Sequence, residues 1–461
     1  MASIPNPREN CQKHSTIYIS RSSWDNIAPL HSRQEVLAHM NATNSEACPV
    51  SHAQQDDPLI LIVYASYGDG HLQAARAIRS ALAEQGIRRL MLVDLMDEAH
   101  PWLGAFTKQV YMRSFTVLPG IYGWVYDRTR SMRHDSLLGE WLHLFGRDRL
   151  RRLLEQHRPD AVIHTFPMFV MPALRHGSTA AHVPSCAVVT DYDLHGRWVH
   201  PGIDRFYVPT EDMREELTLR GIPRERICAS GIPLKHGFGG LQPLPEYRQR
   251  FGFAPEERIV LIMAGAHGVM PDLHALCAGL LERSTVSIAL VCGRNGVLEH
   301  ALQSAFTSHP SAARRLRVFG YVDAIHELMA IASLLVTKPG GITLSEGLAA
   351  GLPIVTYRPV PGQERRNAEY LARRGAAVIA QKPSELIDTI LKLMAAPDRL
   401  IDRRNSVRGL CPDNAAGTLV MDFLANMSIM RGKVPAAPTT SAQPGGAKFR
   451  SQRGKRSEIQ S

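Results

Sequence analysis

From about residue 58 to residue 380 the chain alternates short apolar runs with longer stretches of helical period. The first set of runs is LILIVYAS (59–66), RLMLVDL (89–95), AVIHTF (161–166), SCAVVTD (185–191) and RFYVP (205–209). The second set is RIVLIMAG (258–265), VSIALVCG (286–293), LRVFGYV (316–322), SLLVTKPG (333–340), LPIVTYRP (352–359) and AAVIA (376–380). These runs are apolar at successive positions rather than at alternate ones. A strand that is apolar on both faces is covered on both faces, as in parallel sheets. Between the runs lie segments such as LQAARAIRSALAEQG (72–86) and EDMREELTLRG (211–221), which read as helices. Strand and helix in alternation predict βαβ units, hence an α/β fold with two doubly wound, Rossmann-like domains.

The break between the two sets falls at GFGGLQPLPEYRQRFG (237–252), dense in Gly and Pro. The chain then divides into five parts. Residues 1–57 show no sustained period and read as a flexible extension. A first Rossmann-like domain (58–238) and a second (239–405) follow. The helix NAAGTLVMDFLANM lies in the part 406–431 and is expected to pack back on the first domain. Residues 432–461 are rich in Pro, Gly and Ser, basic, and expected to be disordered. In doubly wound sheets ligands sit at the carboxyl ends of the strands. The site is therefore expected in a cleft between the domains, on the loops that follow the strands.

Four such loops carry candidate chemistry. The first, YGDGH, lies between an apolar run and a helix. Such a position exposes backbone N–H groups and the positive end of a helix dipole. It is neither GxGxxG nor a P-loop, because it lacks the Lys and holds Asp69 and His71 instead. Gly68 and Gly70 allow a tight turn and place His71 in the first helical turn, facing the cleft. A histidine there can act as a base on an incoming hydroxyl; it can equally be a cap or a core residue. The second loop is MAGAHG, with Gly265, Ala266, His267 and Gly268. The third is TKPGGITLSEGLAAGLPIV, where Pro339, Gly340 and Gly341 turn the chain into a helix bearing Ser345 and Glu346. Its glycines let a ligand approach the backbone, and Glu346 can accept from vicinal hydroxyls such as those of a ribose. The fourth, YRPVPGQERRNAEYL, brings Gln363, Glu364 and Asn367 after a Pro-Gly turn. Amides and carboxylates together suit sugar hydroxyls, which need donors and acceptors; the same residues can cap the next helix.

Charge narrows the partners. The 461 residues carry a formal net charge of +10, so an acidic partner is expected: nucleic acid, anionic lipid or a phosphorylated substrate. The seven cysteines are scattered, with no CxxC, which argues against a disulfide framework or a zinc site and for a reducing cytoplasm. No run is long and apolar enough to span a bilayer, and the N-terminus lacks the pattern of a secretory signal. The segment 101–152 stands apart. It interleaves Trp102, Phe106, Tyr111, Trp124 and other aromatics with Arg128, Lys108 and seven further Arg. Aromatics among arginines suit a bilayer interface. The alternatives are stacking on single-stranded nucleic acid and an ordinary surface helix pair.

Loop by loop, the chain resembles the processive diacylglycerol β-glucosyltransferases and monogalactosyldiacylglycerol synthases. It is more distantly similar to the transferase that adds N-acetylglucosamine to the lipid-linked peptidoglycan precursor. The segments that carry the resemblance run in order: YGDGHLQAARAI, TFPM, VTDYDLHGRWVH, YVPT, SGIPL, LIMAGAHGV, VCGRN, GYV, TKPGGITLSEGLAAGLPI and PVPGQERRNAEYLARRGAA. KPGGIT with PVPGQE favours the bacterial glucosyltransferase branch.

The resemblance implies a GT-B fold and a metal-independent, inverting transfer without a cofactor, in which a UDP-hexose is a substrate. Glucose is favoured and galactose is the alternative. His71 would deprotonate the acceptor, a diacylglycerol. The backbone at 265–268 and 340–341 would hold the diphosphate, Val322 would lie by the uracil, and Glu346 would take the ribose. Gln363 and Glu364 would hold the hexose; Ser345 and Asn367 are donor-binding candidates too. Lys235, Arg294 and Lys338 are the candidate cations. Gly70, Asp69, Trp102, Phe106, Tyr111, Trp124 and Arg128 are assigned to the acceptor and membrane side. The implied setting is the cytoplasmic side of the cell membrane, peripheral, on an anionic surface and without nucleic acid. Two positions depart from the family pattern. Lys235 stands where an Arg is common, one place beyond Leu234, and supplies a point charge without the guanidinium fork. Asp69 stands where Gly or Asn is common, placed to orient His71, to bind the acceptor, or to turn the chain. Same-fold rivals are a transferase for another acceptor and a UDP-sugar epimerase; a non-catalytic UDP-sugar sensor is a rival of another class.

Overall fold

The computed structural model describes residues 57–66, 69–99, 119–136, 146–175, 183–396, 398, 402 and 409–431. The N-terminal extension up to residue 56, the basic tail, and Gly68, Trp102, Phe106 and Tyr111 lie outside these.

Each apolar run named above contains a strand. The first sheet holds β1 (Ile60–Tyr64), β2 (Leu90–Asp94), β3 (Ala161–His164), β4 (Ser185–Val188), β5 (Arg205–Tyr207) and β6 (Ile227–Cys228), in the order β2-β1-β3-β4-β5-β6. The second holds β7 (Ile259–Met263), β8 (Ser287–Val291), β9 (Leu316–Phe319), β10 (Leu334–Thr337), β11 (Ile354–Tyr357) and β12 (Ala377–Ala380), in the order β12-β11-β10-β7-β8-β9. All pairings are parallel. Helices on both faces bury the strands, which is why the runs are apolar without alternation. The edge strand β6 is only two residues long, too short to leave a hydrophobic pattern.

Strand order reverses between β1 and β3 in the first sheet and between β7 and β10 in the second. At such switch points the outgoing loops diverge and leave a crevice. The loops at these points are those after Tyr64, His164, Met263 and Thr337. They include three of the four candidate loops.

Four helices border the crevice and a fifth packs on the first domain. Helix α1 (Asp69–Glu84) follows β1; its small buried residues Ala74, Ala75, Ala77 and Ala81 let it lie close on the sheet. Helix α2 (Pro119–Thr129) stands at the cleft's edge. Helix α3 (Gly341–Ala349) follows β10, and α4 (Gln363–Arg373) follows β11. The long helix α5 (Ala415–Arg431) comes after the second domain yet belongs to the first domain's core. Its Leu419, Val420 and Phe423 are buried with Ile60, Ile62, Ile78 and Leu82, each burial contributing about 1.5–3 kcal/mol. An ion pair of Arg205 with Asp422 fixes its register.

Candidate active site

Leaving β1, the chain reaches α1 with His71 in the first turn. His71 Nδ1 lies 2.6 Å from the carbonyl oxygen of Thr165 and 3.1 Å from Thr190 Oγ1. A carbonyl only accepts, so Nδ1 carries the proton and the lone pair of the neutral ring is on Nε2. Thr165 also donates through Oγ1 to the His71 carbonyl at 3.0 Å. Phe166 meets the ring edge-on, with centroids 5.0 Å apart. Burial lowers the His71 pKa to about 4, with the Thr165 bond opposing and Arg197 adding to the fall. The side chain is thus a neutral imidazole of fixed tautomer at ordinary pH.

The second domain faces it with glycine-rich turns. A Cβ on Gly70 would meet Ile342 Cγ1 at 3.6 Å, so the starts of α1 and α3 oppose each other across the cleft. At Gly265 and Gly340 a Cβ would meet nothing within 4 Å, which leaves space beside the backbone of both loops. Gly268 has φ 62° and would place a Cβ 2.6 Å from Cys292 O, so this turn requires glycine. No side chain caps α3, so its first N–H groups have no side-chain partner.

Arg294 follows β8, donates its N–H to Ala266 O at 2.9 Å and lays its guanidinium over the Tyr321 ring at 4.8 Å. His267 is exposed, and Val322 is half-buried beside Tyr321. Glu346 is only 9% exposed, and burial raises its pKa to about 7 against the pull of Lys235. Lys235 donates to the Asp323 carbonyl and lies 3.4 Å from the Asp323 carboxylate. Its charge therefore serves the Glu346 side of the cleft. Lys338 pairs with Glu364 at 3.3 Å, and Glu364 also accepts from Val360 N at 3.1 Å.

Two expected donor contacts have a different place. Asn367 is fully buried. It donates to Asp191 Oδ1 and to Pro339 O, each at 3.1 Å, and accepts from Tyr192 N at 2.8 Å. Ser345 is also buried, 2.9 Å from Gly341 O and 2.8 Å from the Tyr192 hydroxyl. With these bonds made inside the protein, both residues hold the two domains together rather than offering a group to a sugar. Gln363 lies near Asp191, whose carboxyl burial pushes up and Gln363 pulls partly back down.

The partner in these contacts is the segment Thr190–Asp193, part of the run VTDYDLHGRWVH, to which sequence reasoning gave no role. Thr190 touches the His71 ring, and its carbonyl packs so tightly on Gly341 that a Cβ there would collide with it. Tyr192 stacks on Tyr370 at 5.3 Å. Asp193 accepts from Tyr126 Oη at 3.0 Å and from Arg130 at 2.9 Å. A usable signal was present: two carboxylates in TDYD at the end of a buried strand demand partners.

Those last bonds anchor one face of α2, whose Gly123 lies against Pro361 of the second domain. Asp127 pairs with Arg366 at 3.0 Å. The opposite face is open, with Ile121, Val125 and Trp124 exposed, Trp124 by 67%, and Arg128 exposed beside them. Asp69 does not reach His71, whose Nδ1 is already taken. It forms an ion pair with Arg294 across the cleft.

Among the described residues no group of three or more His, Cys, Asp or Glu is arranged to hold a metal ion. Nor is any described helix long and apolar enough to cross a membrane.

Comparison with known proteins agrees with this geometry. Residues 71–234 match the Monogalactosyldiacylglycerol (MGDG) synthase family, and residues 259–409 match the Glycosyltransferase family 28 C-terminal domain. A processive diacylglycerol beta-glucosyltransferase of Bacillus cereus (strain B4264) is 35% identical over 388 residues, covering 84% of this chain and 98% of its own. One from Bacillus anthracis (strain CDC 684 / NRRL 3495) is 34% identical with the same coverage. Among solved structures, Acinetobacter baumannii MurG covers 80% of this chain and 100% of its own, with TM-score 0.51 and 16% identity. CalG4, the calicheamicin glycosyltransferase, covers 83% and 100%, with TM-score 0.51 and 14% identity. These two share the fold, which is GT-B as expected. With matching sequence running through both domains, the chain is a glycosyltransferase and belongs to the processive diacylglycerol β-glucosyltransferase family.

Proposed function

We propose that this protein transfers a hexose, glucose in first place, from a UDP-sugar to the free hydroxyl of 1,2-diacylglycerol, with inversion, in membrane glycolipid synthesis. The product carries new sugar hydroxyls and can serve as the next acceptor. The single observation that carries the reading is the neutral His71 with its Nε2 lone pair free, set opposite uncapped glycine turns in a chain of this family.

In this reading His71 Nε2 takes the acceptor proton as the acceptor oxygen bonds to the anomeric carbon. The bond from that carbon to the diphosphate oxygen breaks, and the electron pair leaves with UDP. Negative charge then grows on the diphosphate. In this reading the Gly341 N–H, the α3 dipole, the Gly265–Gly268 turn with Ala266 and His267, and the cations Arg294 and Lys338 stabilise it, while the Gly340 N–H stays bonded to Lys338 O at 2.9 Å and Gly340 gives room for close approach. Glu346 takes the ribose, with Lys235 beside it, and Val322 lies by the uracil. Gln363 and Glu364, unlike Asn367 and Ser345 not fully buried, serve the hexose by exchanging their contacts with Asp191 and Lys338 for its hydroxyls.

The acceptor is lipid and the donor is water-soluble, so the first domain has to meet a bilayer. The exposed face of α2, apolar with Arg128 at its margin, fits the interface of an anionic membrane on the cytoplasmic side. Incubation with UDP-glucose or UDP-galactose and diacylglycerol vesicles, with products identified by mass spectrometry, tests the reading. A hexosyl-diacylglycerol is expected; no transfer from either sugar nucleotide would overturn it. His71→Ala should abolish turnover and leave UDP binding intact, which separates an enzyme from a sugar-nucleotide sensor.

A further inference from the structure

The ion pair between Asp69 and Arg294 has no place in the chemistry just described. Its two ends belong to different domains. Asp69 opens α1, two residues before the base, and Arg294 sits in the turn after β8 against the proposed diphosphate loop. Arg294 is held at its ring-stacked head and at its main chain. Tyr321 supports its face at 4.8 Å, and its own backbone N–H is tied to Ala266 O. What remains is the edge of the fork, of which Nη1 is on Asp69 Oδ2. The pair is neither buried nor fully exposed: the side chains keep 43% and 21% of their surface, for Arg294 and Asp69 respectively.

We propose that Asp69 is a displaceable counter-ion for Arg294 that competes with the diphosphate of the sugar nucleotide and hastens release of the spent nucleoside diphosphate. The proposal rests on the reading of Arg294 as a diphosphate ligand. A guanidinium fork makes its strong paired contact with one anion at a time. A diphosphate that takes the paired edge containing Nη1 draws it off the carboxylate, so donor binding carries that cost. Transfer then raises the difficulty of the opposite step. When the sugar leaves, the diphosphate gains a terminal oxyanion, and a site built of cations and N–H groups holds the product more tightly than the donor. A carboxylate poised to reclaim Arg294 offsets this, and its own charge repels the product. The same pair, when re-formed, joins the domains over an empty cleft.

The experiment is a titration of the full-length protein with UDP by calorimetry, at low and high salt. Wild type, Asp69→Asn, Asp69→Ser, Arg294→Gln and Asp69→Asn/Arg294→Gln are compared, each checked for folding by its melting temperature. Loss of the competing carboxylate should tighten UDP binding about two- to fivefold at low salt, the range of a half-exposed ion pair. The gain should shrink at high salt and reappear as stronger inhibition of turnover by UDP. Arg294→Gln should weaken UDP binding, and adding Asp69→Asn to it should change nothing further. Unchanged or weaker UDP binding in both Asp69 variants overturns the proposal, as does a gain that persists without Arg294. If Arg294→Gln itself leaves UDP affinity unaltered, the assignment of Arg294 to the diphosphate falls with it. If Arg294→Gln weakens UDP but the Asp69 variants do not tighten it, only the counter-ion role fails.

Discussion

A base kept neutral by burial should go on working at a pH where an ordinary histidine fails. The perturbation is acidification from pH 7 to pH 5.5. A histidine at its usual value of about 6.5 would be about nine-tenths protonated at pH 5.5. His71 has its pKa lowered to about 4, by burial first and by Arg197 to a lesser degree. It would remain almost wholly neutral, so the two cases differ about tenfold in competent base. The assay is kcat/KM for sugar transfer across this range, because that ratio reports ionisations of the free enzyme. A ring-proton titration of His71, assigned by comparison with His71→Ala, supplies the same value without turnover. A kcat/KM that halves near pH 6.5 would refute the reasoning. The direction can be tested separately: Arg197→Gln removes one cause of the depression and should move the acid limb to higher pH. Stability follows the same sign. The unfolded chain takes up the proton at about 6.5 and the folded one only near 4, so the contribution is complete above about 6.5 and is lost as pH falls towards 4. His195, also lowered to about 4 by burial and Arg197, adds to that window.

Glu346, raised to about 7 by burial, should release a proton when ribose hydroxyls donate to it. Calorimetry of UDP binding near pH 7 in buffers of different ionisation enthalpy should detect this, and Glu346→Gln should abolish it while weakening UDP binding roughly tenfold. Gly341→Ala should lower kcat by tenfold or more, because its Cβ would strike Thr190 O and hold the domains apart; wild-type turnover would show that this contact is not kept during catalysis. Replacing Ile121 and Trp124 with Ser should abolish flotation with anionic liposomes and leave the melting temperature nearly unchanged, since both side chains are exposed; unaltered flotation would remove α2 from the membrane contact.

The strands are legible in the sequence for a physical reason. A parallel strand covered on both faces must be apolar at every position, and runs such as Ile259–Met263 carry that mark without help from the rest of the chain. The loops that face the cleft are legible because they need glycine, as at Gly265 and Gly268 with positive φ. His71 is legible from its place at a strand-to-helix turn. The partners of these groups are not. His71 is held by the carbonyl of Thr165, and every residue type has a carbonyl. Asn367 and Ser345 carry the right chemistry for a sugar, yet they meet Tyr192 more than a hundred and fifty positions away. Asp69 meets Arg294 on the same terms. Local spacing encodes elements and turns, whereas which side chains meet across a cleft depends on how two separately folded sheets come together.

The central claim is that a diacylglycerol hydroxyl, activated by His71, attacks a UDP-hexose. Its most direct test is transfer by the purified protein from UDP-glucose to diacylglycerol in anionic vesicles, with the anomeric configuration of the product read by NMR. The account predicts a β-linked glucosyl-diacylglycerol made by the wild type, with turnover reduced at least a thousandfold in His71→Ala while UDP still binds. An α-linked product, or undiminished transfer by His71→Ala, would contradict it.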